Sequence, residues 1–200
     1  MKNTDIDYPQ TLVPLSRADL LARLHAQLSD GRFAHVQRVE QTAIKLAQQY
    51  GGDVQRAGLA GLVHDYAKQR PDAEFKQLIR QQRFDPDLLT ANNGIWHGVI
   101  GAYLVERELG IHDTQVLNAI RRHTIGAVEM TTLDKIIFVA DFIEPGRDFP
   151  GVDQARAAAE ASLDAGVRFE ITNTLKFLIA KQVNIYPKTI DTYNAWVAGH

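Results

Sequence analysis

Apolar residues recur along this chain at intervals of three and four, and the alternation of a β-strand is rare. That period predicts amphipathic helices over 17–29, 32–50, 54–66, 71–82, 95–109, 114–123, 153–165, 167–182 and 188–198. The stretch TTLDKIIFVADFIEPG, from Thr131, reads as a further, deeply buried helix halted by Pro145 and Gly146. Helix ends carry their own signals. Ser16 with Asp19 resembles a capping box, Asp53 and Asp113 suit N-caps, and Pro71 suits a first turn. Gly31 is expected to separate the first two helices, Gly51-Gly52 to close the second, and Gly110 to stop the helix before it. A loop, RFDPDLLTANNG, joins 82 to 95. The sum is an all-α fold: one helical bundle of about nine to eleven helices over residues 15–200, behind a lead-in at 1–14.

Composition narrows the partners. The 200 residues carry a formal net charge of −2, which gives no basic surface for nucleic acid or for a membrane. The absence of cysteine excludes disulfides, thiolate metal ligands and a cysteine nucleophile. The first residues, MKNTDIDYPQTLVPLS, lack the apolar core of a signal peptide, and no later run approaches a membrane span. A soluble, cytoplasmic protein is expected.

Chemistry enters where polar residues interrupt apolar faces. His35 lies on the stripe of Val39, Ala43 and Leu46. His64 and Asp65 follow the apolar run Ala57, Leu59, Ala60, Leu62, Val63. His97 stands between Trp96 and Gly98, and Gly98 and Gly101 allow a close approach by backbone or ligand. His123 shares a face with Val116 and Ile120, with Thr124 beside it. Asp141 is embedded among Ile136, Ile137, Val139, Ala140, Phe142 and Ile143. Each has a plain structural alternative: a hydrogen-bonded core histidine, a His-Asp pair closing a helix, a cation at a helix C-terminus, or an ion pair of Asp141 with Arg121, Arg122 or Arg147. Together the balance changes. Burying an uncompensated carboxylate costs several kcal/mol, and a divalent cation offsets that cost. Four imidazoles and two carboxylates suit zinc, iron, manganese or nickel, and they exceed what one tetrahedral ion needs. The surplus points to two metals sharing a carboxylate or a hydroxide.

The order His35, His64-Asp65, His97, His123, Asp141 resembles the HD-domain superfamily of metal-dependent phosphohydrolases. The stretches AGLVHDYAK, AIRRHTIGAVEMTTLDKIIFVADFIEPGR and NIYPKTIDTYNAW narrow the resemblance to its symmetrical bis(5′-nucleosyl)-tetraphosphatases, over most of residues 15–198. The resemblance implies an all-helical HD domain and one or two iron ions, with manganese or another divalent transition metal as alternatives. It implies hydrolysis of a dinucleoside tetraphosphate, diadenosine tetraphosphate giving two ADP, or a guanosine analogue giving GDP. By matching position, His35, His64, Asp65 and Asp141 would hold the first metal, and His97 and His123 a second metal or the phosphates. Asp65, Lys68 and His97 would be catalytic. Substrate contacts are implied at Arg32, His35, Lys68, His97, His123, Thr124, Asp141, Arg147, Asn184, Ile185, Tyr186, Pro187, Lys188 and Thr189.

Elementary chemistry fits these roles. A bound metal lowers the pKa of its water and screens phosphate charge. Arg32 lies one turn before His35, Lys68 three residues after Asp65, and Arg147 just beyond Pro145-Gly146, where each can reach a phosphate. Taken singly, all three would read as solvated surface charges. Other readings of the chain are another HD phosphohydrolase (a nucleotidase or phosphodiesterase), a nucleotide-binding regulatory module with little turnover, and a helical bundle with core ion pairs. Phe177, Leu178 and Trp196 near the end raise the expectation of a homodimer.

Overall fold

A computed structural model describes residues 6–199. Among them are eleven α-helices and no strand: α1 Arg17–Gln27, α2 Asp30–Tyr50, α3 Val54–Val63, α4 Asp72–Gln81, α5 Asn93–Val99, α6 Gly101–Leu109, α7 Thr114–Arg122, α8 Thr132–Ile143, α9 Val152–Ala161, α10 Leu163–Ala180 and α11 Pro187–Trp196. A short 3-10 turn, Pro86–Thr90, lies in the loop before α5.

The α2–α3 hairpin is the frame of the molecule. Gly51 closes α2 in the left-handed region (φ 69°), and its N–H donates to Ala47 O. Asp53 then starts α3 by accepting from the Arg56 N–H at 3.0 Å. At Gly61 the two helices nearly touch: a Cβ there would lie 3.1 Å from Glu40 Cα and 3.1 Å from Val39 O. This close approach sets His35, on α2, against His64, at the end of α3. Helix α8 packs across both α2 and α3 through buried Ile136, Ile137, Val139 and Ala140. Its other side is covered by α10, where Gly166 admits Val139 and Ala159. Helices α5, α6 and α7 close the bundle beside α3 and α8.

The predicted boundaries hold in outline and shift in three places. Residues 95–109 form two helices, α5 and α6, broken at Ile100. Gly98 and Gly101 flank the break and weaken a continuous helix. Gly98 is also where Thr124 packs, since a Cβ there would lie 2.9 Å from Thr124 Oγ1. Gly31 is no separator: it sits in the first turn of α2, and the chain breaks at extended Leu28 and Ser29 instead. The last long helices divide at Ser162, which caps α10 by accepting from the Ala165 N–H at 3.0 Å. Ser16, Asp113 and Gly110 act at the ends expected of them, and Thr131 with Asp134 adds a capping box to α8.

The described part of the lead-in is held to the bundle. Tyr8 and Val13 are buried, the Tyr8 hydroxyl donates to Glu40, and Arg17 donates to both oxygens of that carboxylate at 2.6 and 2.8 Å. Residues 1–5 lie outside the described residues. Trp196 belongs to the core side of α11, donating from Nε1 to Ala127 O at 2.9 Å, and Leu178 is half-buried, whereas Phe177 and Ile179 stand exposed. No described helix is long and apolar enough to cross a membrane.

The caps are separable from the centre. Asp53→Ala is expected to lower stability by about 1 kcal/mol, the usual value of an N-cap, and to leave unchanged the hydrolytic activity that the resemblance implies. Urea unfolding monitored by circular dichroism, alongside turnover in the absence of denaturant, checks both halves.

Candidate active site

The six residues scattered over 35–141 meet at one place. Helix α2 supplies His35, the turn after α3 supplies His64 and Asp65, α5 supplies His97, the end of α7 supplies His123, and α8 supplies Asp141. The histidines and Asp65 are almost wholly buried, and Asp141 is partly open.

Every imidazole is oriented the same way. The Nδ1 atom of His64 lies 2.8 Å from Gly61 O, that of His123 2.7 Å from Ile120 O, and that of His97 2.5 Å from Asn93 O. His35 Nδ1 lies 3.1 Å from a Glu144 oxygen. Each of these oxygens is an acceptor, which places the proton on Nδ1; His97 Nδ1 has in addition the Lys68 ammonium at 3.4 Å, longer than its 2.5 Å contact with Asn93 O. The four Nε2 atoms therefore present lone pairs, and all four point inward. His35 Nε2 is 3.1 Å from Asp141 Oδ1 and 3.6 Å from Asp65 Oδ2. His64 Nε2 is 3.5 Å from Asp65 Oδ2 and 3.8 Å from Asp141 Oδ1. On the other side of the same carboxylate, His97 Nε2 is 3.2 Å and His123 Nε2 3.9 Å from Asp65 Oδ1.

A cluster of lone pairs is costly without a cation among them. His35 Nε2, His64 Nε2 and Asp65 Oδ1 are buried with no hydrogen-bond partner. His97 Nε2 and His123 Nε2 face one another at 3.0 Å. Candidate ligand atoms of His35, His64 and Asp141, and again of His64, Asp65 and His123, lie within 4.8 Å of one another. These are donor types and separations that a divalent transition metal satisfies, and the carbonyls and carboxylate holding each Nδ1–H are the usual outer partners of a metal-binding imidazole. The residues fit the group that the sequence implies. Asp65 lies just past the C-terminus of α3, the negative end of the helix dipole, so its stabilisation must come from cations around it.

Charge states follow from the surroundings. Burial pushes both His64 and His123 below the ordinary imidazole range, the second far below because His64 and His97 crowd it, so both are neutral at pH 7. Burial alone would raise Asp65 and Asp141. The opposing causes are, for Asp65, the rings of His64 and His97 when they carry a second proton, with Lys68, and for Asp141 those of His35 and His64 likewise, with Arg147; together they hold both carboxyls well below the usual range. Burial lowers Lys68, against the attraction of Asp65 and Asp141.

Cations border the cluster on one side. A cleft of about 490 Å³ opens beside His35 and is lined by Arg32, Arg38, Lys68 and Arg147. Arg32 donates to Asp65 Oδ2 at 2.8 Å. Arg147 donates to the Asp141 carboxylate and, from Nε, to its carbonyl at 2.8 Å. Of the partners considered for Asp141, Arg147 is the one found; Arg122 pairs with Asp134 and Arg121 with Asn118. The Lys68 ammonium stands 3.2 Å from His97 Nε2. Thr124 Oγ1 is buried without a partner.

The stretch Asn184–Thr189 does not line this cleft. Asn184 donates to Thr90 O, Lys188 pairs with Asp85, Ile185 is half-buried, Tyr186 is in the core, and Pro187 opens α11. The helix that follows touches the chain just beyond His123-Thr124, with Thr192 donating to Ile125 O at 2.8 Å and packing on Gly126. Thr189 Oγ1 there is buried and unpartnered.

Three site-linked residues escaped the sequence reading. Arg38 lies one turn beyond His35 on the same face of α2, a spacing that could have flagged it. Glu144 precedes Pro145 at a helix end and resembles an exposed cap in sequence, yet it is 1% exposed. Glu170, on α10, is buried with one oxygen unpartnered, and burial together with the charge of Asp141 pushes its carboxyl up. Nothing in its local sequence separates it from a surface glutamate.

Known proteins resemble this chain in sequence and fold. A family profile for the HD domain matches residues 32–146, which span all six clustered residues. The chain is 45% identical over 185 residues to a Bacillus subtilis protein named bis(5′-nucleosyl)-tetraphosphatase, symmetrical, covering 92% of this chain and 100% of that one. It is 43% identical over 183 residues to a Staphylococcus aureus protein of the same name, covering 90% of this chain and 93% of that one. A crystal structure from Clostridium acetobutylicum, described as a predicted HD superfamily hydrolase involved in NAD metabolism, superposes with a TM-score of 0.88 at 36% identity, covering 93% of this chain and 99% of that one. The chain belongs to the HD domain family and, within it, to the group that these two named relatives represent.

Proposed function

We propose that this protein is a symmetrical bis(5′-nucleosyl)-tetraphosphatase, converting diadenosine tetraphosphate and water to two ADP. One observation carries the reading: four inward-facing imidazole lone pairs and two carboxylates adjoin a cleft bordered by four cationic side chains. In this reading His35, His64, Asp65 and Asp141 would hold one divalent metal, and His97 and His123 would hold a second or meet the phosphates directly. Iron is the metal the resemblance favours. Such metals act as Lewis acids on phosphoryl oxygens and make bound water a nucleophile near neutral pH.

The chain's own residues do the rest. Arg32, Lys68 and Arg147 present guanidinium and ammonium groups to the tetraphosphate; two of them also brace the carboxylates that would ligate metal, so charge arriving with substrate is met by donors already in place. Arg38 extends this border along the cleft. The reaction adds water oxygen to the second phosphorus from one nucleoside and breaks its bond to the oxygen bridging to the third. That oxygen leaves on the other ADP, and the Lys68 ammonium, 3.2 Å from His97 Nε2, is the donor placed to neutralise developing charge. Thr124 Oγ1, Thr189 and the Asn184–Lys188 segment serve the nucleoside in this reading, supported by two buried hydroxyls without partners at 124 and 189. The cytoplasm, where the cysteine-free chain is at home, is the location that goes with it, and the exposed Phe177 and Ile179 suit a homodimer.

Hydrolysis in oxygen-18 water tests the reaction. ADP is expected as the main product, with one labelled oxygen per turnover on the terminal phosphate of one ADP. AMP with ATP as main products would defeat the symmetrical reading.

A further inference from the structure

Glu144 holds a position that no reading of the sequence assigned to it. It lies at the end of α8, is buried, and is the only partner of His35 Nδ1 described: Glu144 Oε1 accepts at 3.1 Å, while His35 Nε2 points at Asp141 and Asp65. The other three histidines give this proton to main-chain carbonyls. His35 alone gives it to a charged group, which raises the basicity of Nε2 as well as fixing the ring.

The carboxylate is itself immobilised. Arg38 Nε donates to Oε2 at 2.5 Å and Arg38 Nη2 to Oε1 at 3.2 Å. The Gly146 N–H donates to Oε2 at 2.5 Å. Gly146 has a second part in this: a Cβ there would lie 2.5 Å from Arg38 Nε and 2.6 Å from Cζ, so only glycine lets the guanidinium lie on the turn. The charge of Arg38 and these donors keep Glu144 ionised despite its burial. The helix end Glu144-Pro145-Gly146 thus ties the rotamer of His35, on α2, to the conformation of the turn that also carries Arg147 into the cleft.

We infer that Glu144 is a positioning residue for the metal centre, held by Arg38 and Gly146 and acting through His35 to set its affinity for a divalent cation. The inference rests on the metal-centre reading above, and its test separates the two. Manganese affinity is measured by chelator competition on metal-stripped wild type and on Glu144→Gln, which keeps the shape and loses the charge. The dissociation constant is expected to rise about tenfold or more, and kcat to fall by a similar factor with KM little changed, the usual size of effect when the outer partner of a ligating histidine is altered. Equal affinity in the two proteins overturns the role of Glu144 while the metal centre stands. A wild type that binds no divalent metal overturns both. Should Glu144→Gln fail to fold, Arg38→Met reads the same quantity through the group that holds Glu144; weaker manganese binding supports the assignment and unchanged binding overturns it.

Discussion

Asp65→Ala is expected to lower kcat/KM by at least about a thousandfold, equivalent to ~4 kcal/mol of transition-state stabilisation. Asp65 is the one side chain that faces both pairs of histidines: Oδ2 lies 3.5–3.6 Å from His64 and His35, and Oδ1 3.2–3.9 Å from His97 and His123. Removing it takes the shared negative charge from both halves of the centre at once. Neither Asp141, on the His35 side only, nor a water can restore it. The variant also frees Arg32, whose guanidinium is now held against Asp65 Oδ2 at 2.8 Å. Removing one partner of a buried ionic cluster is itself destabilising, so activity is compared at a temperature where the variant is folded. Steady-state kinetics on diadenosine tetraphosphate, with circular dichroism confirming the fold, decides the matter. Activity within tenfold of wild type would remove Asp65 from the centre of the reaction. Asp65→Asn, which keeps the shape, should behave nearly as badly, since it presents a neutral amide where charge is needed.

The helices and most of the chemistry could be read from the chain because both rest on local patterns. Asp53, Asp113 and Ser16 name their helix starts by hydrogen-bonding rules that hold within four residues. Asp65 and Asp141 declared themselves as carboxylates in apolar surroundings, and the histidines as imidazoles on core faces. The failures were of another kind. The break at Ile100 lies where Thr124, in the turn after α7, packs into the space left by Gly98. Gly31, which has no close neighbour at its Cβ position and an ordinary φ, simply joined a helix whose start was set by its neighbours. Glu144 and Arg38 are 106 residues apart in sequence, and their pairing arises only where α8 ends against α2. The contact of Asn184 with Thr90 O, on the 3-10 turn, likewise joins residues 94 apart in sequence and arises only in the assembled bundle.

Stripping the protein of metal is expected to cost about 4 kcal/mol of stability relative to protein with metal at a thousandfold excess over its dissociation constant, from mass action alone. For a domain of this size that corresponds to a fall in melting temperature of about 8–16 °C. The loss comes from the geometry. Without a cation, the inward Nε2 atoms of His35 and His64 and the Oδ1 of Asp65 are buried acceptors with no donor, and two carboxylates are left to the guanidinium groups of Arg32 and Arg147. The pH dependence of the stripped protein has a definite sign. Folding holds His64 and His123 below the ordinary imidazole range, so below about pH 6.5 the unfolded chain binds more protons than the folded one. Their contribution is therefore complete above about pH 6.5 and is lost as pH falls toward the folded values. Loaded protein should resist the same titration further, because protons must displace metal from the ring nitrogens before they can add to them. Thermal scans of chelator-treated and manganese-restored protein from pH 8 to pH 5 check both statements. A melting temperature that ignores chelator and manganese alike would mean that the buried lone pairs of this cluster serve something other than a cation.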